Sequence, residues 1–314
     1  MIARLRALRG WLDRKEVGTS LALFRIATGL VVLYTLVPMR WLDVDVLVYA
    51  DAAAGGYRVT QSSNPLVWLA GGATAAGVVR LCWAGIAAAT LLTLGLGGRV
   101  TAFVTLQLLI ALFRLNGDAG GGHDRFMTNA LWLLVLGDAT ATLSLDCRRR
   151  TGAWTSAALV SAWPRYLAVY QLVVVYTTTG LQKVGVDWMP WGDWAALYKA
   201  LLLPSWRRID MSWIGPFYPL LQLGTVTTQI FEIGAWVWIL AAWYRHTRTR
   251  PGRLRAWSNR HDLRALWALL GLGLHLAIHA FMNVGPFSWI SLSFYVNLWH
   301  PDEWAARWRR WRRT

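Results

Sequence analysis

Eight apolar runs with almost no charge dominate this chain, and they fall near residues 18–37, 78–96, 100–113, 127–145, 163–183, 219–243, 264–284 and 285–299. A hydrocarbon core about 30 Å thick asks a helix for about 20 such residues. The pattern predicts an all-α fold: a polytopic transmembrane helix bundle of about eight spans, in one domain over 1–314. With 56% hydrophobic and only 15% charged residues, the surface of a water-soluble protein cannot be built. Runs of 14 or 15 residues reach only about 21 Å at 1.5 Å per residue. The third and eighth spans should therefore sit in a thinned bilayer, lean on neighbours or be partly re-entrant. The stretch 64–76, NPLVWLAGGATAA, is too short and glycine-rich to cross, and reads as interfacial or re-entrant.

The net charge of +16 would suggest a nucleic-acid partner in a soluble chain. Here topology accounts for it, and no nucleic acid is expected. With the N-terminus inside, the cytoplasmic loops and termini hold 20 Lys and Arg and the external loops hold 6. Basic residues are retained on the cytoplasmic side, so both termini are expected there, in a multi-pass protein of the cell (inner) membrane. The basic opening MIARLRALRGWLDRK leads into the first apolar run without a small-residue cleavage site, which predicts that the first helix is retained. Of the 22 tryptophans, Trp188, Trp191, Trp194 and Trp206 share one external loop, which is expected to lie at the headgroup level. Cys82 and Cys147 offer neither a disulfide framework nor a metal cluster. No fixed-period repeat or inverted pair of broken helices is visible.

Charge inside a span needs a partner or a task. Arg25 lies about 10 Å from the inner end of the first span and Glu232 about 16 Å from that of the sixth, at 1.5 Å per residue. A structural Arg25–Glu232 ion pair is the first expectation, and proton movement through Glu232 the alternative. Three further features fall on the external side: the glycine-rich loop NGDAGGGHDR at 116–125, Lys183 in TGLQKVGVDW, and the turn NVGPF at 283–287, beneath which His275 and His279 sit at i, i+4. Taken singly, the bland readings are a snorkelling lysine, a solvated histidine and a core pair. Their convergence on one side raises the functional reading. So does the rarity of lysine, three beside 29 arginines, because an amine can lose a proton that a guanidinium keeps.

At these residues the sequence resembles the vitamin K-dependent gamma-glutamyl carboxylase family and its short bacterial relatives, the horizontally transferred transmembrane (HTTM) domain proteins. LALFRIATGLVVLYTLVPMR is similar to the family's first span with its arginine at Arg25. HDRFMTNALWLLVLGDATATLSLD, from His123, matches the histidine-led segment with Asp138 and Asp146. GLQKVGVDW matches the lysine motif, and HLAIHAFMNVGPFSW the later pattern at His275, Gly285 and Phe287. The resemblance implies a single transmembrane domain from about 18 to 305, without the large external domain of the animal enzymes.

It also implies an activity. Lys183 is then the catalytic base that deprotonates a reduced naphthoquinone, vitamin K hydroquinone or menaquinol. Addition of O2 leads to the epoxide, and the alkoxide formed removes a glutamyl γ-proton from a secreted peptide or protein, CO2 trapping the carbanion. His123 acts with Lys183 and hydrogen-bonds the quinol. Asn116, His275, Gly285 and Phe287 are expected to line the quinol site, Asn116 replacing the family's asparagine where this chain has Gly122. The prenyl tail lies between spans, reached from the lipid bilayer. No metal is called for. The competing reading is a non-catalytic membrane factor for maturation or export of a secreted peptide. Haem or metal ligation by His275 and His279 is weaker, since the chain has only six histidines.

Overall fold

A computed structural model of the chain describes residue 10 and residues 12–311. Arg4, Arg6 and Arg9 of the basic opening and Arg312 and Arg313 of the tail lie outside the described residues. The protein is mostly helical, as the apolar runs require. A short two-stranded antiparallel ladder is added, β1 (Lys15–Val17) with β2 (Leu159–Ser161), in the register Glu16 opposite Val160. The chain forms two compact units: residues 1–168 with 299–314, and residues 169–298.

In the first unit, α1 (Thr19–Trp41) packs on α4 (Ala75–Leu94), α4 on α5 (Gly98–Phe113), and α5 on α6 (Gly122–Leu136). The connections from α4 to α5 and from α5 to α6 are short, which keeps those helices neighbours. Between α1 and α4 lie the short α2 (Val44–Tyr49) and α3 (Pro65–Leu69). Local chemistry sets the starts. Asn64 Oδ1 accepts from Leu66 N at 2.9 Å with Pro65 in the first helical position, and Thr74 Oγ1 accepts from Gly77 N at 3.0 Å, both ordinary N-caps. The five-residue α3 is all the helix that stretch 64–76 makes before α4 starts at Ala75. After α6 come α7 (Leu145–Thr151) and the first residues of α8 (Trp163–Leu181). The unit closes with α15 (Pro301–Trp311).

Arg25 is fully buried. Its Nη2 donates to the Leu143 carbonyl at 2.6 Å, and Asp146 is the carboxylate acting on it. The guanidinium thereby ties α1 to the loop after α6. A second buried arginine, Arg165, makes a two-pronged ion pair with Glu16 at 2.7 and 2.8 Å, joining α8 to β1.

The second unit contains the rest of α8, then α9 (Ala196–Leu202), a 3-10 helix (Ser212–Phe217), α10 (Tyr218–Ile233), α11 (Val237–His246), α12 (Arg253–His261), α13 (Leu263–Phe281) and α14 (Phe287–Tyr295). A 3-10 turn, Gly234–Trp236, separates α10 from α11, with the Trp267 ring against Gly234. The expected span 219–243 thus tightens to a single 3-10 turn at the glycine.

Four stretches among the described residues are long and apolar enough to cross a bilayer: Thr19–Trp41, Ala75–Leu94, Ser212–His246 and Leu263–Phe281. They make this a membrane protein. The other expected spans differ. α5 has 16 residues and α8 has 19. α6 stops at Leu136 instead of continuing to 145, because Gly137 turns to an extended backbone and Ser144 Oγ bonds Thr140 O at 2.7 Å to close a tight turn. α14 has nine residues and continues as the 3-10 turn Val296–Leu298, about 20 Å in all, short of a full hydrocarbon core.

Candidate functional site

The end of α8 carries the chemistry. Tyr176, Gly180 and Lys183 recur at i, i+4 and i+7, so they run along one stripe of the helix and its terminal turn. The α8 backbone meets α10 at Gly180: a Cβ there would stand 2.8 Å from Ile233 N and 2.9 Å from Glu232 Cβ. Only a residue without a side chain permits that approach. One turn on, Lys183 Nζ donates to Glu232 Oε2 in an ion pair. The Trp188 ring lies over the amine, 5.1 Å from Nζ to its centroid, and Gln229 Nε2 bonds the Lys183 carbonyl at 3.3 Å. The side chains of Lys183 and Glu232 are 16% and 10% exposed, so this is a largely desolvated pair. The carboxylate that the sequence assigns to Arg25 is therefore taken by Lys183, while Arg25 bonds the Leu143 carbonyl. The glycine crossing is the reason, because it puts Glu232 one turn from the lysine.

Deeper along the stripe, Tyr176 Oη bonds His275 Nε2 of α13 and, at 3.0 Å, Tyr295 Oη of α14. All three residues are buried. Aromatic edges close around them: Phe231 at 5.1 Å and Trp238 at 5.8 Å from Tyr176, and Trp238 at 5.3 Å from Tyr295, by ring centroids. His275 also faces Phe287, 5.7 Å away, whereas His279 packs against Trp289 at 4.8 Å. Gly285 takes φ +59° in the turn between α13 and α14, a left-handed conformation that favours glycine. That turn is tied down by Asn283 N to Trp206 O at 2.7 Å and Arg208 N to Phe281 O at 2.9 Å. Beside it, hydrogen bonds from the Ser212 hydroxyl and amide hold the Asp210 carboxyl below its ordinary value.

The same unit holds an apolar cavity of about 580 Å³ between α9, the 3-10 helix, α10 and α13. Leu201, Phe217, Leu221, Leu274 and Phe281 line it, and Thr227 and Thr228 give its only hydroxyl groups. Phe231 is shared: it forms part of the cavity wall and packs edge-on against Tyr176. Glu232 is the next residue in the chain.

Asn116 and His123 belong to the first unit. Asn116 is 1% exposed and wholly committed. Its amide NH2 donates to Val48 O at 2.8 Å and Tyr57 Oη at 2.7 Å, and its Oδ1 accepts from Asp118 N, Ala119 N and Arg58 Nη1. Both amide hydrogens are used. The expected quinol contact is therefore corrected to a structural one, a pin that folds the glycine-rich loop. His123 stands in the first turn of α6 with Nε2 3.3 Å from Asp124 Oδ1, while Asp124 Oδ2 accepts from Gly121 N at 3.0 Å. Lys183, His275, Gly285 and Phe287 all lie in the second unit.

Sequence reasoning missed Tyr176 and Tyr295. The spacing of Tyr176 seven residues before Lys183 was a usable signal, and nothing local marked Tyr295. Residues 14–205 match the HTTM domain, a stretch that includes Arg25, Asn116, His123 and Lys183 and ends before Glu232. No curated protein and no solved structure matches the chain.

Proposed function

Since the chain belongs to the HTTM domain family, we propose that it is a membrane-embedded enzyme of the vitamin K-dependent carboxylase type that oxygenates a reduced naphthoquinone to its epoxide. The observation that carries this reading is the buried Lys183–Glu232 pair, set beside an apolar cavity through Phe231. A buried ion pair is costly to keep charged. Transfer of one proton from the ammonium to the carboxylate leaves two neutral groups and an amine lone pair. That amine takes the hydroxyl proton of the quinol: the O–H bond breaks, an N–H bond forms, and the quinol remains as a monoanion. Reaction of the anion with O2 supplies the epoxide, one oxygen atom entering the ring and the other leaving as water with the two quinol protons. The same chemistry, given CO2 and a glutamyl acceptor on a secreted peptide, extends to γ-carboxylation.

The substrate follows from the lining. An apolar cavity of this volume suits a prenyl or phytyl tail drawn from the bilayer, with vitamin K hydroquinone or menaquinol as the head. Placement in the inner membrane with both termini cytoplasmic belongs to the same proposal, on the 20 to 6 partition of basic residues.

Purified protein in lipid nanodiscs is incubated with vitamin K hydroquinone under oxygen, and the 2,3-epoxide is sought by mass spectrometry. Epoxide formation that vanishes in Lys183→Arg supports the proposal. A folded protein that forms none with either vitamin K hydroquinone or menaquinol overturns it, and the non-catalytic maturation or export factor then takes its place.

A further inference from the structure

The buried chain Tyr295, Tyr176, His275 ends in an atom that nothing satisfies. His275 Nδ1 is shielded from solvent and has no hydrogen-bond partner among the described residues, whereas Nε2 meets Tyr176 Oη. Chemistry gives this chain a direction. A phenol O–H is the better donor and an imidazole nitrogen the better acceptor, so the shared hydrogen stays on Tyr176. Tyr176 has only that one hydrogen to give. Its oxygen therefore accepts from Tyr295, 3.0 Å away. No carboxylate stands within ion-pair distance of the ring among the described residues, so His275 is the neutral imidazole, with one N–H. With Nε2 accepting, that hydrogen sits on Nδ1. Successive donors along such a chain polarise one another and strengthen the last.

We propose that Tyr176 and Tyr295 are positioning residues that lock His275 in its Nδ1–H tautomer, presenting one buried N–H donor to a carbonyl or phenolate oxygen of a bound quinone. A lone buried donor is unfavourable until an acceptor meets it, which makes the site selective for an oxygen-bearing ring. Phe287, with its centroid 5.7 Å from that of the imidazole, is an aromatic neighbour of the same ring. The quinone as acceptor rests on the function proposed above; the tautomer does not.

The test is solid-state NMR of protein with ring-15N histidine and 13C-tyrosine in nanodiscs, together with phylloquinone binding. His275 is the histidine whose Nε2 should show a cross-peak to a tyrosine Cζ. The expected result is Nδ1–H in the wild type. In Tyr176→Phe the Nε2–H form should appear and the phylloquinone Kd rise about tenfold, the loss of one hydrogen bond. Tyr295→Phe should keep the tautomer and change Kd less than about threefold. An Nε2–H wild type overturns the relay, as does Tyr176→Phe with tautomer and Kd unchanged. A switched tautomer with unchanged Kd overturns the presentation of the N–H to a quinone. If the wild type binds no phylloquinone, the acceptor assignment falls with the function, and the tautomer in Tyr176→Phe still decides the relay.

Discussion

Lys183 and Glu232 form an ion pair across the point where Gly180 lets α8 and α10 touch. If Lys183 supplies the amine that starts quinol oxidation, Lys183→Arg keeps the charge and removes the titrating base. Epoxide formation should fall at least about a hundredfold, the usual contribution of a general base, with phylloquinone binding retained. Retention of more than about a tenth of wild-type turnover reduces Lys183 to a membrane-edge anchor.

The pair is also structural. Glu232→Leu or Lys183→Met alone leaves a buried charge without its partner and should cost about 3–5 kcal/mol. The double variant should recover much of that loss. Thermal unfolding in detergent checks this, and simple additivity would refute contact between the two side chains.

Gly180→Val drives a side chain into the backbone of Ile233, a contact of 2.8 Å even for Cβ alone. Backbone cannot swing aside as a side-chain tip does. A loss of about 1–3 kcal/mol is expected from such overpacking, together with a drop in turnover as Lys183 moves away from Glu232.

Asn116→Asp retains the acceptor oxygen and deletes the two donors to Val48 O and Tyr57 Oη. The loop 116–125 should become sensitive to protease, while phylloquinone affinity stays within about threefold of wild type. A loss of affinity without loop opening would restore Asn116 as a quinol ligand.

Asp51 gives a pH dependence with a definite sign. Its carboxylate accepts from the Thr60 and Ala53 amides at 2.7 and 2.9 Å, and these bonds hold its folded value below 3.8. A depressed carboxylate stabilises the fold above its unfolded value and loses that contribution as pH falls through the folded one. The protection factors of the Ala53 and Thr60 amides, exchange rates taken relative to the free peptide at the same pH, should therefore fall below about pH 4, and Asp51→Asn should abolish the effect.

Sidedness is open to impermeant thiol labelling. The native Cys82 and Cys147 are buried, so single cysteines at the exposed Gly117 and Thr249 should label from opposite sides of the membrane. Labelling of both from outside would overturn the topology.

The long runs carried most of the helical architecture, because apolar length is a local property: Thr19–Trp41 and Leu263–Phe281 nearly coincide with the runs at 18–37 and 264–284. Failures came where a single turn ended a helix within an apolar run. Gly137 stops α6 inside the run 127–145, whereas the Gly285–Pro286 turn falls where the run 264–284 gives way to 285–299. Lys183 stood out by its rarity, but its partner did not. Lys183 and Glu232 are 49 residues apart in sequence, and only the Gly180 crossing brings them together. Tyr295 was invisible for a similar reason, since its role exists only through Tyr176, 119 residues away.

Phe231 has two audiences. One part of its ring belongs to the wall of an apolar cavity, and its edge contact with Tyr176 belongs to a hydrogen-bonded chain. In a close-packed interior such a ring cannot yield to one neighbour without leaning on the other. An apolar tail of the kind proposed, filling the cavity, would lie against the same ring that packs on Tyr176.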